Sequence, residues 1–119
     1  MKLWAVAALV LLAGCGADRP TTVQAQSQNE MVFVAEVARA AAALGVNARG
    51  EITDYQYMVP CMDGTKCPAA GWWEAPVAYG WRPWINEQSE GTVMLLARHE
   101  TCHALFESEE QTNECARKL

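Results

Sequence analysis

The chain has 119 residues, 51% hydrophobic and 19% charged, a balance that folds as one domain rather than staying disordered. Its formal charge is −5 and its pI about 4.9. That argues against nucleic acid as a partner, since phosphate binding needs clustered Lys and Arg. The longest apolar run, residues 3–14, is shorter than the ~20 residues of a membrane-spanning helix.

That run follows Met1-Lys2 and leads into Leu12-Ala13-Gly14-Cys15. A positive start, an apolar centre and small residues describe a secretory signal peptide. Leu12 to Cys15 resembles the bacterial lipobox. The resemblance implies a signal peptide of residues 1–14, cleavage before Cys15 and lipidation of Cys15, which would anchor the chain to a membrane in the cell envelope. Gly16, rather than Asp, after the cysteine is similar to lipoproteins sorted to the outer membrane and facing the periplasm. Residues 15–29 include the polar run Asp18 to Gln28, without hydrophobic periodicity, and read as a flexible tether. The folded domain is then residues 30–119. A core that small calls for covalent or metal support.

Beyond Cys15 there are four cysteines: Cys61, Cys67, Cys102 and Cys115. An even number in an exported chain points to two disulfides, with three possible connectivities. Cys61–Cys67 is favoured because Asp63-Gly64 between them can turn the chain back. Cys102–Cys115 would link two neighbouring C-terminal helices.

In chain order, Glu30 to Leu44 is Ala-rich, lacks Pro and Gly, and stops at Gly45. Val34, Val37, Ala41 and Leu44 make one helical face. Glu51 to Val59 alternates as a strand, and Pro60 to Pro68 is a cysteine-closed loop. Trp72 to Trp81 puts Trp73, Ala75, Val77, Tyr79 and Trp81 on one face at period two, with Pro76 marking an edge strand. Pro83 to Glu87 reads as a third short strand. After a break at Glu90-Gly91, Thr92 to Phe106 reads as a helix, Glu107 to Glu110 as a turn and Gln111 to Lys118 as a short helix. The fold class expected is α+β: an N-terminal helix, a small mixed sheet of about three strands, a second helix and a short C-terminal helix. Trp72, Trp73, Trp81 and Trp84 cluster within this stretch, either as packing or as a substrate-binding wall.

The chemistry lies in His99-Glu100-Thr101-Cys102-His103, an HExxH pattern on the predicted helix that holds the chain's two histidines. Positions i and i+4 share a helix face, so both imidazoles can reach one metal, while Glu100 can act on a water at an open coordination position. Here the chain resembles a zincin metallopeptidase, more closely a minimal gluzincin. The resemblance implies Zn2+ held by His99, His103 and a glutamate of the following helix, Glu100 as general base, and a peptide or protein substrate. Glu107, Glu109, Glu110 and Glu114 are the candidates for the third ligand. Glu114, in Asn113-Glu114-Cys115-Ala116, resembles the family's glutamate helix and is preferred, with Glu110 next. A Cys102–Cys115 bond would hold that helix against the motif. The edge strand would align the substrate backbone, with Tyr79 and Arg82 as oxyanion donors. Two other readings compete: a structural zinc site using Cys61, Cys67, His99 and His103, and a non-enzymatic envelope lipoprotein with an exclusion or assembly role.

Overall fold

The computed structural model describes residues 20–119. The expected signal peptide of residues 1–14 and Cys15 lie outside the described residues. The fold is α+β, with four helices, a four-stranded mixed sheet and a two-stranded ribbon among the described residues.

The chain enters as β1 (Thr22–Val23), antiparallel to β2 (Arg49–Thr53). The polar segment expected to be a tether is thus engaged from Thr22 onward, with Val23 and Ala25 packed on the core. A two-residue strand has no periodicity of its own to reveal it. Helix α1 (Gln28–Leu44) starts two residues before the expected Glu30. Ser27 caps it by accepting from the Glu30 N–H, and Gly45 ends it in the left-handed conformation at φ 69°. Its buried face is Phe33, Val37, Ala40 and Ala41, together with two acids, Glu30 and Glu36.

The predicted strand over Glu51 to Val59 divides. After β2, Thr53 turns its hydroxyl to the Thr21 carbonyl and accepts from the Tyr55 N–H. The chain then forms the ribbon β3 (Met58–Pro60) and β4 (Lys66–Pro68). The Cys61–Cys67 disulfide closes its tip, where Gly64 takes φ 86° and Asp63 accepts from the backbone and hydroxyl of Thr65.

The single strand expected over Trp72 to Trp81 is a hairpin, β5 (Gly71–Glu74) and β6 (Val77–Trp81), turning at Ala75-Pro76. The turn resets the alternation. Trp72 pairs with Tyr79 and Trp73 with Ala78, so Trp73 and Tyr79 occupy opposite faces rather than one. Sheet order is β1-β2-β6-β5, with β2 and β6 parallel. This leaves β5 at one edge of the sheet and β1 at the other.

Pro83 to Glu87 is helical, not extended. Helix α2 (Arg82–Glu87) carries Pro83 in its first turn, where a missing N–H costs nothing. Helix α3 (Glu90–Cys102) begins at the expected break because the Ser89 hydroxyl accepts from the Thr92 N–H. It ends four residues before the expected Phe106. Helix α4 (Glu109–Lys118) begins two residues before the expected Gln111, capped by Ser108.

The core is one cluster from α1, the sheet, α2 and α3: Phe33, Val37, Ile52, Ala78, Ile85, Val93 and Ala97. Gly80 is required there, since a Cβ would lie 2.4 Å from the Ile85 side chain and 3.1 Å from the Phe33 ring. Tyr57, Trp72 and Tyr79 stack on the other side, with ring centroids 5.1 and 4.8 Å apart. Among the described residues no helix is long and apolar enough to cross a membrane.

Candidate metal centre

Buried apolar residues set α3 against the core, and a polar latch sets its rotation. Arg98 Nε donates to Glu36 Oε2 at 2.6 Å, and Arg39 grips the same carboxylate with Nε at 2.7 Å and a terminal nitrogen at 2.6 Å. The Arg39 hydrogen bonds, against the opposing effect of burial and with Arg98 in support, hold the Glu36 carboxyl below its usual range.

His99 and His103 follow one turn apart, with ring centroids at 4.9 Å and planes nearly perpendicular. His103 caps α3 in right-handed helical geometry, so the i, i+4 relation survives the end of the helix. A tight turn, in which the Leu105 and Phe106 N–H groups both donate to the Cys102 carbonyl, leads into α4.

The first residue of α4 supplies the third group. Glu109 Oε2 lies 3.0 Å from His99 Nε2, and Glu109 Oε1 lies 3.3 Å from His103 Nε2. His99, His103 and Glu109 are a group that can hold a metal ion, their donor atoms all within 4.8 Å of one another. Donors ~2.0–2.1 Å from a tetrahedral ion sit about 3.3–3.4 Å apart, a spacing near those between Glu109 and each histidine.

Hydrogen bonding gives an independent reason for a cation. His103 Nδ1 is 3.0 Å from the Phe106 carbonyl, which only accepts, so Nδ1 carries the proton. That leaves Nε2 to face a carboxylate oxygen of Glu109. Two acceptors facing each other need a positive charge between them, either a proton or a metal ion. Burial, with His103 nearby, pushes His99 below its usual range, although Glu109 and a hydrogen bond to Asn113 oppose this. The neutral imidazole is the metal-binding form.

The preferred third ligand, Glu114, is not brought to the histidines. Five residues after Glu109 it points about 140° away around the helix. It pairs with Arg117 and Lys118 and lines a separate groove. Glu110 is also outside the ligating group. Glu107 reaches the rim of the cleft but not the group. Of the four candidate glutamates it is Glu109 that joins the histidines, and Ser108 followed by two acids and Gln111 is the N-cap pattern that makes Glu109 the start of a helix. Thr112, whose hydroxyl is 3.4 Å from His103 Nδ1, and Asn113, which bonds to His99, carry no motif of their own in the sequence.

Glu100 is buried at 6% exposure and lines the same cleft. Burial, reinforced by the Glu109 charge, pushes its carboxyl up to about 8. The cleft, about 510 Å³, also includes Gly71, Trp72, Trp73 and Phe106. Trp72 and Trp73 therefore combine packing with a wall of the site. The Trp81 N–H donates to the Ala70 carbonyl at 2.9 Å, which makes 70/81 a bonded pair. By antiparallel alternation 72/79 is bonded too, and the N–H and C=O groups of Gly71 and Trp73 turn away from β6.

The expected oxyanion donors lie elsewhere. Tyr79 stacks on Trp72, and Arg82 pairs with Asp54 and Glu30. Neither is among the residues lining the cleft. The cysteines form the two expected pairs, Cys61–Cys67 and Cys102–Cys115, with Cα atoms 5.5 and 6.1 Å apart. Bonded to each other, Cys61 and Cys67 offer no thiolates to a mixed cysteine–histidine zinc site. Compared with protein-family models, with curated proteins and with solved structures, the chain matches none.

Proposed function

We propose that this domain is a minimal gluzincin-like zinc metallopeptidase that hydrolyses peptides in the bacterial cell envelope, tethered there through lipidated Cys15. One observation carries the reading: His99, His103 and Glu109 converge in a cleft that also holds Glu100 and the free edge of β5. Two imidazoles and one carboxylate are a donor set of catalytic zinc sites, which keep a position open. Bound there, zinc would polarise a peptide carbonyl and acidify a water. A divalent ion held beside Glu100 would favour its carboxylate over the protonated form that burial and Glu109 favour without it, and that carboxylate could take the proton of the attacking water and return it to the leaving amine. Gly71 and Trp73 align an extended substrate by strand addition, and Trp72 and Trp73 flank it. The two disulfides fit an oxidising compartment, and the likeness of Leu12 to Cys15 to a lipobox supports the anchor.

The test pairs metal content with hydrolysis of a peptide library. Wild type should hold stoichiometric zinc. His99→Ala and His103→Ala should lose it, Glu109→Ala should bind it weakly, and Glu114→Ala should match wild type. Glu100→Gln should keep zinc and lose ~100-fold or more of its activity. A Glu100→Gln protein as active as wild type ends the enzyme reading. Iron in place of zinc would move the site to the class of two-histidine, one-carboxylate oxygenases.

A further inference from the structure

The third ligand and two outer contacts of the centre come from one helix. Helix α4 supplies Glu109 to both imidazoles, Thr112 beside His103 and Asn113 beside His99. Yet α4 has little apolar surface holding it down. Its buried residues are Thr112 and Ala116, and none of its residues belongs to the main core cluster. The covalent tie is Cys102–Cys115, closing a span of 13 residues. It begins at the wholly buried position beside His103 and ends on α4 six positions after Glu109.

We propose that the Cys102–Cys115 disulfide is a redox switch on the metal centre: a dithiol reductant that opens it frees α4, withdraws Glu109, Thr112 and Asn113 together, and releases the metal. The inference rests on the metal reading above. The two ends of the bond differ in access. Cys115 lines a groove of about 450 Å³ with Leu44, Leu105 and Phe106, whereas Cys102 is fully enclosed. A thiolate of the dithiol entering by the groove attacks the Cys115 sulfur. The disulfide breaks, and Cys102 leaves with the electron pair and takes up a proton. The second thiol, as thiolate, attacks the mixed disulfide and displaces the Cys115 thiolate, which is protonated in turn. The dithiol ends as a cyclic disulfide, having delivered two electrons, and the protein holds two thiols. After reduction, α3 keeps both histidines through Val93, Ala97 and the Arg98–Glu36 pair, and α4 keeps too few contacts to stay docked.

The full soluble chain is titrated with zinc and followed by amide hydrogen exchange, as purified, after reduction by dithiothreitol and thiol capping with reagent removed, and as the double variants Cys102→Ala/Cys115→Ala and Cys61→Ala/Cys67→Ala. Reduction and the first double variant should lower zinc affinity 10- to 100-fold or more, the range for losing outer-shell support or a ligand. They should also abolish exchange protection in α4 while α1 stays protected, which shows that the domain is still folded. The second double variant should retain both. Protection of α4 that survives reduction, or zinc affinity unchanged by it, overturns the switch. Oxidised protein that takes up no zinc overturns the metal reading, and the loss of α4 protection on reduction then still decides whether the disulfide holds the helix.

Discussion

The two halves of the candidate centre are held by different physics. His99 stands on α3 and His103 caps it, and the Val93 and Ala97 of that helix are fully enclosed among Phe33, Val37, Ile52 and Ile85. The glutamate stands on α4, which meets the body through two small buried residues, a disulfide and an end contact from Arg39 to the Leu119 carbonyl. The first half is rigid because a whole core must be disrupted to move it. The second is positioned by a covalent bond and a few polar contacts. One site can thus combine a fixed pair of ligands with a third whose place is conditional.

Changes that strike the core should be global and the largest. Phe33→Ala removes a wholly buried ring shared by α1, the sheet and α2. It should destabilise the domain by roughly 3–5 kcal/mol in urea unfolding, with all probes moving together. A change confined to α4 would show that this ring does not tie the elements together.

A smaller effect should come from pH. Glu36 and Glu30 are buried acids at the base of the first region. For Glu30, burial raises the carboxyl, but hydrogen bonds from Asn86 and the backbone, with Arg82 in support, outweigh it and leave the value lowered. A carboxylate lowered in the folded state binds fewer protons there than in the unfolded chain. Its contribution is fully present above the unfolded value of 4.5 and is lost as pH falls through the lower folded value. Stability should therefore decline below about pH 4.5, and Glu36→Gln should flatten that decline. An unchanged acid profile in this variant would remove Glu36 as its source.

Ser108→Ala should give the smallest shift, about 0.5–2 kcal/mol, felt in α4 rather than the core. Amide exchange in α4 should quicken while α1 is unaffected. Equal quickening in both helices would mean that α4 unfolds only with the whole domain.

The same contrast decides what was readable from sequence. Helix α1 announces itself through its alanines and Gly45, and the HExxH spacing presents His99, Glu100 and His103 as a unit. Both cysteine pairings follow from local turn chemistry and helix proximity. Glu109 stands among the four candidate glutamates but behind Glu114 and Glu110, because composition makes Glu107 to Glu110 look like a turn while Ser108 already caps a helix. Pro83 to Glu87 reads as a strand because five residues hold no period long enough to separate helix from strand. Strand alternation alone puts Trp73 and Tyr79 on one face because it carries no sign of a reversal at Pro76. Thr22–Val23 is a strand only because β2 lies beside it.

The Glu36–Arg98 pair has an angular consequence for the histidines. Arg98 and His99 are consecutive on α3, so their side chains leave the axis about 100° apart. Fixing the azimuth of one fixes that of the other. A side-chain tip lies ~5–6 Å from a helix axis, so a roll of about 10° carries it about 1 Å, several times the ±0.2 Å within which metal–ligand distances hold. The carboxylate shared by Arg39 and Arg98 thus serves as a rotational stop, transmitting the orientation of α1 to an imidazole one residue away on another helix.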